Sequence, residues 1–140
     1  MSRSQARETA LQALFQLDLN HGQEGEAAMY ESLALDTAVS EAQGELTEQD
    51  TAYLTAAVRG TRRQLAAIDE LIAAAAKGWR LERMATVDRN VLRLAVYEMR
   101  FGEEQLKKGI AINEAVNLAK KYGTDDSGRF VNGILSTIAR

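Results

Sequence analysis

No proline interrupts the 140 residues of this chain, so helices can run until a glycine or a capping residue stops them. The spacing of those stops suits helices rather than short strands. Apolar residues recur with a period near 3.6 and nowhere alternate with period two, which argues for an all-α chain and against a sheet. Over residues 4–17, Ala6, Ala10, Leu14 and Leu17, with Leu11 and Phe15 beside them, form one stripe that stops at Asn20-His21-Gly22. A poorer stripe through Ala28, Met29 and Leu33 predicts a second helix over about 24–35, and the polar residues 40–45 read as a loop.

Thr47-Glu48-Gln49-Asp50 is close to a capping box, with the threonine hydroxyl as cap and an acid three residues on. The longest stripe follows, from Tyr53, Leu54, Ala57 and Val58 through Leu65, Ile68, Leu71, Ile72 and Ala75 to Lys77-Gly78, with Gly60-Thr61 as the place for a kink. After a turn at residues 79–84, Thr86 is expected to cap a helix that faces Val87, Val91, Leu94, Ala95 and Met99 inward and ends near Gly102. A loop over 102–109 leads to a stripe of Ile112, Ala115, Val116 and Ala119, opened around Asn113-Glu114 and closed by Gly123 as a C′ glycine. Asp125-Asp126-Ser127 caps the last helix, which carries Phe130, Val131, Ile134, Leu135 and Ile138. The expected fold is a single all-α domain over residues 1–140, a compact bundle of about six to seven helices. At this length a chain buries roughly 68–70% of its unfolded surface, so the core needs no metal or disulfide.

Several function classes drop out on composition. With no Cys there are no disulfides, thiolate zinc sites or cysteine nucleophiles. The lone His21, beside Gly22, has no partner for acid–base work and reads as an exposed residue at a helix end. There is no Gly-rich phosphate loop, no HExxH pair and no EF-hand loop, and helix capping explains Asp125-Asp126 more economically than a metal. No catalytic residue, metal or cofactor is therefore expected. No apolar run approaches 18 residues and no apolar segment follows the N-terminal charges, so neither a membrane span nor secretion is expected, and the cytoplasm is compatible.

Binding remains. The net charge of −3 hides a segregation: residues 1–58 carry only Arg3 and Arg7 against ten acids, whereas residues 59–140 carry 15 bases against ten acids. Two clusters combine cations with aromatics, Arg3, Arg7 and Phe15 near the start, and Lys120-Lys121-Tyr122-Gly123 through Arg129-Phe130-Val131-Asn132-Gly133 near the end. Single-stranded RNA needs such a mixture: cations for phosphates, rings for unpaired bases and amides for base edges. Phe15 and Phe130 also lie on apolar stripes, where core packing is the simpler explanation on position alone, and a pair such as Lys120-Lys121 is usually just solvated.

Ile68-Asp69-Glu70-Leu71-Ile72, Trp79-Arg80-Leu81-Glu82-Arg83-Met84, the segment from Asp88-Arg89-Asn90 to Tyr97-Glu98-Met99, Ala111-Ile112-Asn113-Glu114-Ala115-Val116 and Phe130-Val131-Asn132-Gly133-Ile134-Leu135 follow one another along the chain. With Ala6-Arg7-Glu8 and Ala13-Leu14-Phe15, they make essentially the whole chain resemble the NusB family of transcription antitermination factors. The resemblance implies two perpendicular helical halves, binding to the boxA element of ribosomal RNA leader transcripts, and a heterodimer with NusE, a small-subunit ribosomal protein, in the RNA polymerase antitermination complex. It implies no catalysis. It maps the RNA face onto Arg3, Arg7, Phe15, Arg129 and Phe130, to which the basic Lys120 and Lys121 are added from their place in the second cluster, and it maps Asp88 onto the NusE side.

Two departures stand out: the basic start is thin, with only Arg3 and Arg7, and residues 107–112 lack the proline usual before their motif. Arg93, Glu98, Asn113 and Glu114 read as structural. Gly133 costs its helix about 1 kcal/mol relative to Ala, so something should approach it closely, another helix ahead of RNA. The rival functions are the helical recognition domain of a ribosomal RNA methyltransferase and a protein-binding adaptor. No βαβ pattern or Gly-rich cofactor loop occurs before Arg140, so a free methyltransferase is not expected if the sequence is complete.

Overall fold

The structure, a computed structural model, describes residues 3–19, 27–42 and 46–140. Among them are seven α-helices: α1 (Arg3–Leu19), α2 (Ala27–Glu41), α3 (Glu48–Arg63), α4 (Leu65–Ala75), α5 (Thr86–Val96), α6 (Lys108–Tyr122) and α7 (Ser127–Ala139). A 3-10 turn at Leu81–Arg83 precedes α5, and a π-helical turn at Tyr97–Phe101 extends it. No strand occurs among the described residues, in line with the all-α expectation. His21, the stop at 20–22 and residues 24–26 lie outside them. Two compact units emerge, Met1–Arg59 and Gly60–Arg140.

In the first unit α1 packs on α2. The buried stripe of α1 is rich in alanine, Ala6, Ala10 and Ala13 beside Leu14 and Leu17, and α2 buries Ala34, Leu35 and Ala38. The second helix runs on to Glu41, six residues beyond its expected end, because Ala38 repeats Ala34 one turn later and nothing between them stops a helix. Met29 and Leu33, expected on the inner stripe, are 59% and 56% exposed. The capping box at α3 forms as expected: the Asp50 N–H donates to Thr47 Oγ1 (3.1 Å), and the Thr47 N–H and hydroxyl donate to Asp50 Oδ2 (3.2 and 2.9 Å). The Thr47 hydroxyl holds the Asp50 carboxyl below the usual aspartate value against the opposing effect of burial, with the Thr47 N–H and the Arg3 charge adding to the lowering.

In the second unit α4, α5 and α6 gather around α7, with Ile68, Ile72, Val91, Leu92, Val96, Val131 and Leu135 fully or almost fully buried. The long stripe breaks at Gln64 (φ −98°, ψ 16°) rather than kinking at Gly60-Thr61. Gly60 serves a different purpose: the Tyr97 ring lies against it, and a Cβ there would sit 2.6 Å from the ring Cζ. Arg93 joins α5 to α4 through a two-pronged pair with Asp69 (Nε–Oδ1 2.8 Å, NH2–Oδ2 2.9 Å), the structural role expected of it.

Three helix ends differ from expectation. Thr86 is the first residue of α5, not its cap; Ala85 takes the cap position without a side-chain bond, and the Thr86 carbonyl accepts from Asn90 Nδ2 at 2.8 Å. The sixth helix begins at Lys108, so Asn113-Glu114 lie in its second turn. Asp126 occupies the cap position of α7 but makes no capping bond, while Ser127 Oγ accepts the Thr124 N–H at 2.9 Å. Gly123 follows α6 as expected, yet its φ of −98° is ordinary. It must be glycine because a Cβ would lie 2.7 Å from the Ala119 carbonyl oxygen. At Gly133, where a close neighbour was expected, a Cβ would meet nothing within 4 Å.

Candidate nucleic-acid interface

The N-terminal cluster is built by α1 and the start of α3. Arg3 and Arg7 stand one turn apart on α1 and both reach Tyr53, which lies one turn beyond Asp50 of the capping box. The Arg3 guanidinium carbon sits 4.2 Å from the Tyr53 ring centroid and that of Arg7 5.5 Å away. Arg7 also donates from NH2 to the Tyr53 hydroxyl at 3.1 Å. Arg3 is exposed; Arg7 is only 5% exposed, which corrects the expectation of a surface phosphate contact. Phe15, half-buried, lies two turns further along α1, roughly 12 Å from Arg7 along the axis. It shares the helix with the arginines but does not join them at Tyr53.

The C-terminal cluster joins the end of α6, the start of α7 and the segment before α5. Lys120 lies over Gly128: a Cβ on that glycine would come within 3.1 Å of Lys120 Cγ and 3.3 Å of its Cε. Glycine at 128 thus lets the lysine stem cross α7 while its head remains at the surface. Lys121 places its Nζ 5.4 Å from the Tyr122 ring centroid. Arg129 is exposed on the first turn of α7. Phe130 is half-buried and meets Trp79 edge to face, the centroids 5.5 Å apart and the planes at 74°. Such an assembly offers exposed cations beside aromatic rings, the pairing that unpaired nucleotides require.

Asp88 belongs to neither cluster. It is 8% exposed in the first turn of α5, and its Oδ1 has no hydrogen-bond partner among the described residues. Free amides at a helix start favour an acid there, so the charge has a structural reason. An aspartate this buried offers only a small part of its surface to a partner.

Sequence reasoning missed two contributors. Tyr53 was legible only as one more residue of a core stripe, since its arginine partners lie 46 or more residues away. Trp79 had a signal: the only tryptophan, set in Lys77-Gly78-Trp79-Arg80, interleaves an aromatic with cations. Among the described residues no group of acids and histidines is arranged to hold a metal ion, and no helix is long and apolar enough to cross a membrane.

Comparison with known proteins gives this geometry a lineage. Residues 4–140 match the NusB family model. The transcription antitermination protein NusB of Bdellovibrio bacteriovorus is 44% identical over 139 residues, covering 99% of this chain and 96% of the relative. That of Pelotomaculum thermopropionicum is 48% identical over 139 residues, covering 99% and 89%. T. maritima NusB has the same fold at a TM-score of 0.82 with 35% identity, over 99% of this chain and 91% of its own. A crystal structure of the antitermination factors NusB and NusE in complex with dsRNA matches at 0.77 with 29% identity, over 98% and 95%. With a family match from the first turn of α1 to the last residue, and relatives 44% and 48% identical over nearly the whole chain, the chain belongs to the NusB family.

Proposed function

We propose that this chain is a non-catalytic transcription antitermination factor of the cytoplasm that binds boxA RNA of ribosomal RNA leaders together with NusE, within the RNA polymerase antitermination complex. The observation that carries this reading is its likeness, over nearly the full chain, to a NusB solved with NusE and dsRNA. Residues 1–140 act as one RNA-binding domain. Lys120, Lys121, Arg129 and Arg3 meet phosphates, Phe130 and Phe15 offer rings, and Arg7 acts through Tyr53 by holding α1 in place. Asp88 marks the end of α5 that faces NusE, reaching it through the small part of its surface left open.

An acidic protein with a thin basic start binds RNA weakly alone, because the release of counterions that dominates affinity is small. NusE, basic as ribosomal proteins are, adds phosphate contacts. Titrating labelled boxA RNA at fixed salt against the free chain and against the chain with NusE tests this. The expected coupling is about 5–150-fold, and linkage requires RNA to tighten the NusE complex by the same factor. Equal RNA affinity with and without NusE contradicts the heterodimer; no RNA binding in either state contradicts the function.

A further inference from the structure

Trp79 is the only tryptophan of the chain, and it is 59% exposed. A side chain this large normally goes inside, so an indole held at the surface calls for a reason. The backbone fixes it there from both sides. Gly78 adopts φ +88°, a left-handed conformation that an L side chain rarely takes, and turns the chain at the end of α4. The Trp79 N–H then donates to the Ala76 carbonyl at 3.0 Å, and the 3-10 turn that follows is closed by the Arg83 N–H on Arg80 O, also at 3.0 Å.

The ring itself is braced by Phe130 in an edge-to-face pair. In that geometry one ring meets the face of the other with its edge, so Phe130 leaves at least one face of the indole free, and the side chain is mostly open to solvent. Its surroundings are cationic. Lys77, Arg80 and Arg83 are exposed in the same short segment, with Glu82 as its single acid, and the exposed Arg129 directly precedes Phe130. One turn beyond Phe130, Gly133 leaves open space on α7. A rigid, open aromatic face among cations, with a bare stretch of helix one turn from its brace, matches what an unpaired nucleotide needs.

We infer that the Trp79 indole, braced by Phe130 and flanked by Arg80, is a stacking platform for an unpaired base of single-stranded RNA. The inference rests on the RNA-binding function proposed above and adds to it a residue and a segment, Lys77 to Arg83, outside the two clusters that the sequence singled out. A base stacking on the indole also quenches its emission, and with a single tryptophan the signal has one source.

The full-length chain is titrated with single-stranded boxA RNA, followed by anisotropy of a fluorescein label and, with unlabelled RNA, by tryptophan emission. Quenching should saturate along the anisotropy curve. Trp79→Ala should weaken binding roughly 5- to 150-fold, the range that one base–aromatic stack provides, and Trp79→Phe should recover most of it. An RNA of the same length carrying abasic sites in place of its bases should bind the native chain and both variants alike. Binding seen by anisotropy with no quenching and no loss in Trp79→Ala overturns the platform while leaving RNA binding in place, as does a loss confined to NusE association. If Trp79→Ala fails to fold, the quenching and the Trp79→Phe titration decide. Absence of RNA binding by the native chain, with or without NusE, overturns the RNA function and the platform with it.

Discussion

The two clusters begin from the same ingredients, arginines and an aromatic ring, and the fold uses them in opposite ways. In the first unit Arg7 is buried against Tyr53, with its guanidinium engaged by the ring and the hydroxyl. In the second, Arg129 is exposed and the ring beside it is buttressed by another ring rather than by a cation. An arginine whose charge is matched inside the fold holds helices together; one left at the surface is available to a phosphate. Arg7 and Phe15 lie eight residues apart while Arg129 and Phe130 are neighbours, and what separates the two arginines is whether a ring from elsewhere in the chain receives the guanidinium, as Tyr53 receives that of Arg7.

The largest effect that would break this contrast is on stability. Arg7→Ala should lower the unfolding free energy by about 2–3 kcal/mol, because it removes both a charged hydrogen bond and a desolvated cation–π interaction. Arg7→Lys should not restore it, since a lysine lacks the planar head that lies on the ring. Urea unfolding of both variants measures this, and native stability in Arg7→Ala would return Arg7 to the surface role first expected.

Within the second unit, two glycines sharpen the contrast between filled and open space. Gly123→Ala should cost about 1–3 kcal/mol, because the added methyl meets the Ala119 carbonyl and the Ser127 side chain. Gly133→Ala should stabilise by about 1 kcal/mol, since nothing opposes it and helix propensity favours alanine. If RNA comes close to α7 at this point, Gly133→Ala also weakens RNA binding while raising the melting temperature. Unchanged RNA affinity would place the RNA elsewhere on the helix.

Smaller again is Arg129→Ala, which should weaken RNA binding by about 0.5–1.5 kcal/mol and leave stability within about 0.5 kcal/mol of native. The least effect is set by pH at the capping box. Asp50 has a lowered pKa in the folded chain, so its contribution is fully present above the unfolded value of 3.8 and is lost as pH falls through the folded value. The stability difference between the native chain and Asp50→Asn, read by urea unfolding, should therefore be larger at pH 6 than at pH 3; an equal difference at both would remove the carboxylate from the account.

Local features were the legible ones. The capping box at Thr47, the helical period throughout and the glycine after α6 were visible because each is decided within a few residues. The end of α2 was misjudged because its inner face continues past Leu35 only through Ala38, too weakly hydrophobic to outweigh Met29 and Leu33, which the fold leaves outside. Gly123 is the crowded glycine and Gly133 the open one, against expectation, since crowding around a glycine depends on chain segments that a helical period does not reveal. The burial of Arg7 rests on Tyr53, 46 residues away, and that of Asp88 on how α5 is enclosed, so neither was readable. In the C-terminal cluster the cations and Phe130 were legible, and the ring that braces Phe130 was passed over as part of a turn.

The distinction between an engaged and an available arginine is tested most directly by the salt dependence of boxA RNA binding. For the native chain, with about three to five phosphates neutralised, the slope of log affinity against log salt should be roughly −2 to −3.5. Arg129→Ala should bind more weakly with a slope shallower by about 0.7, the share of one phosphate on a single strand, whereas a folded Arg7→Ala should keep the native slope. A native slope in Arg129→Ala together with a shallower one in Arg7→Ala would contradict the account.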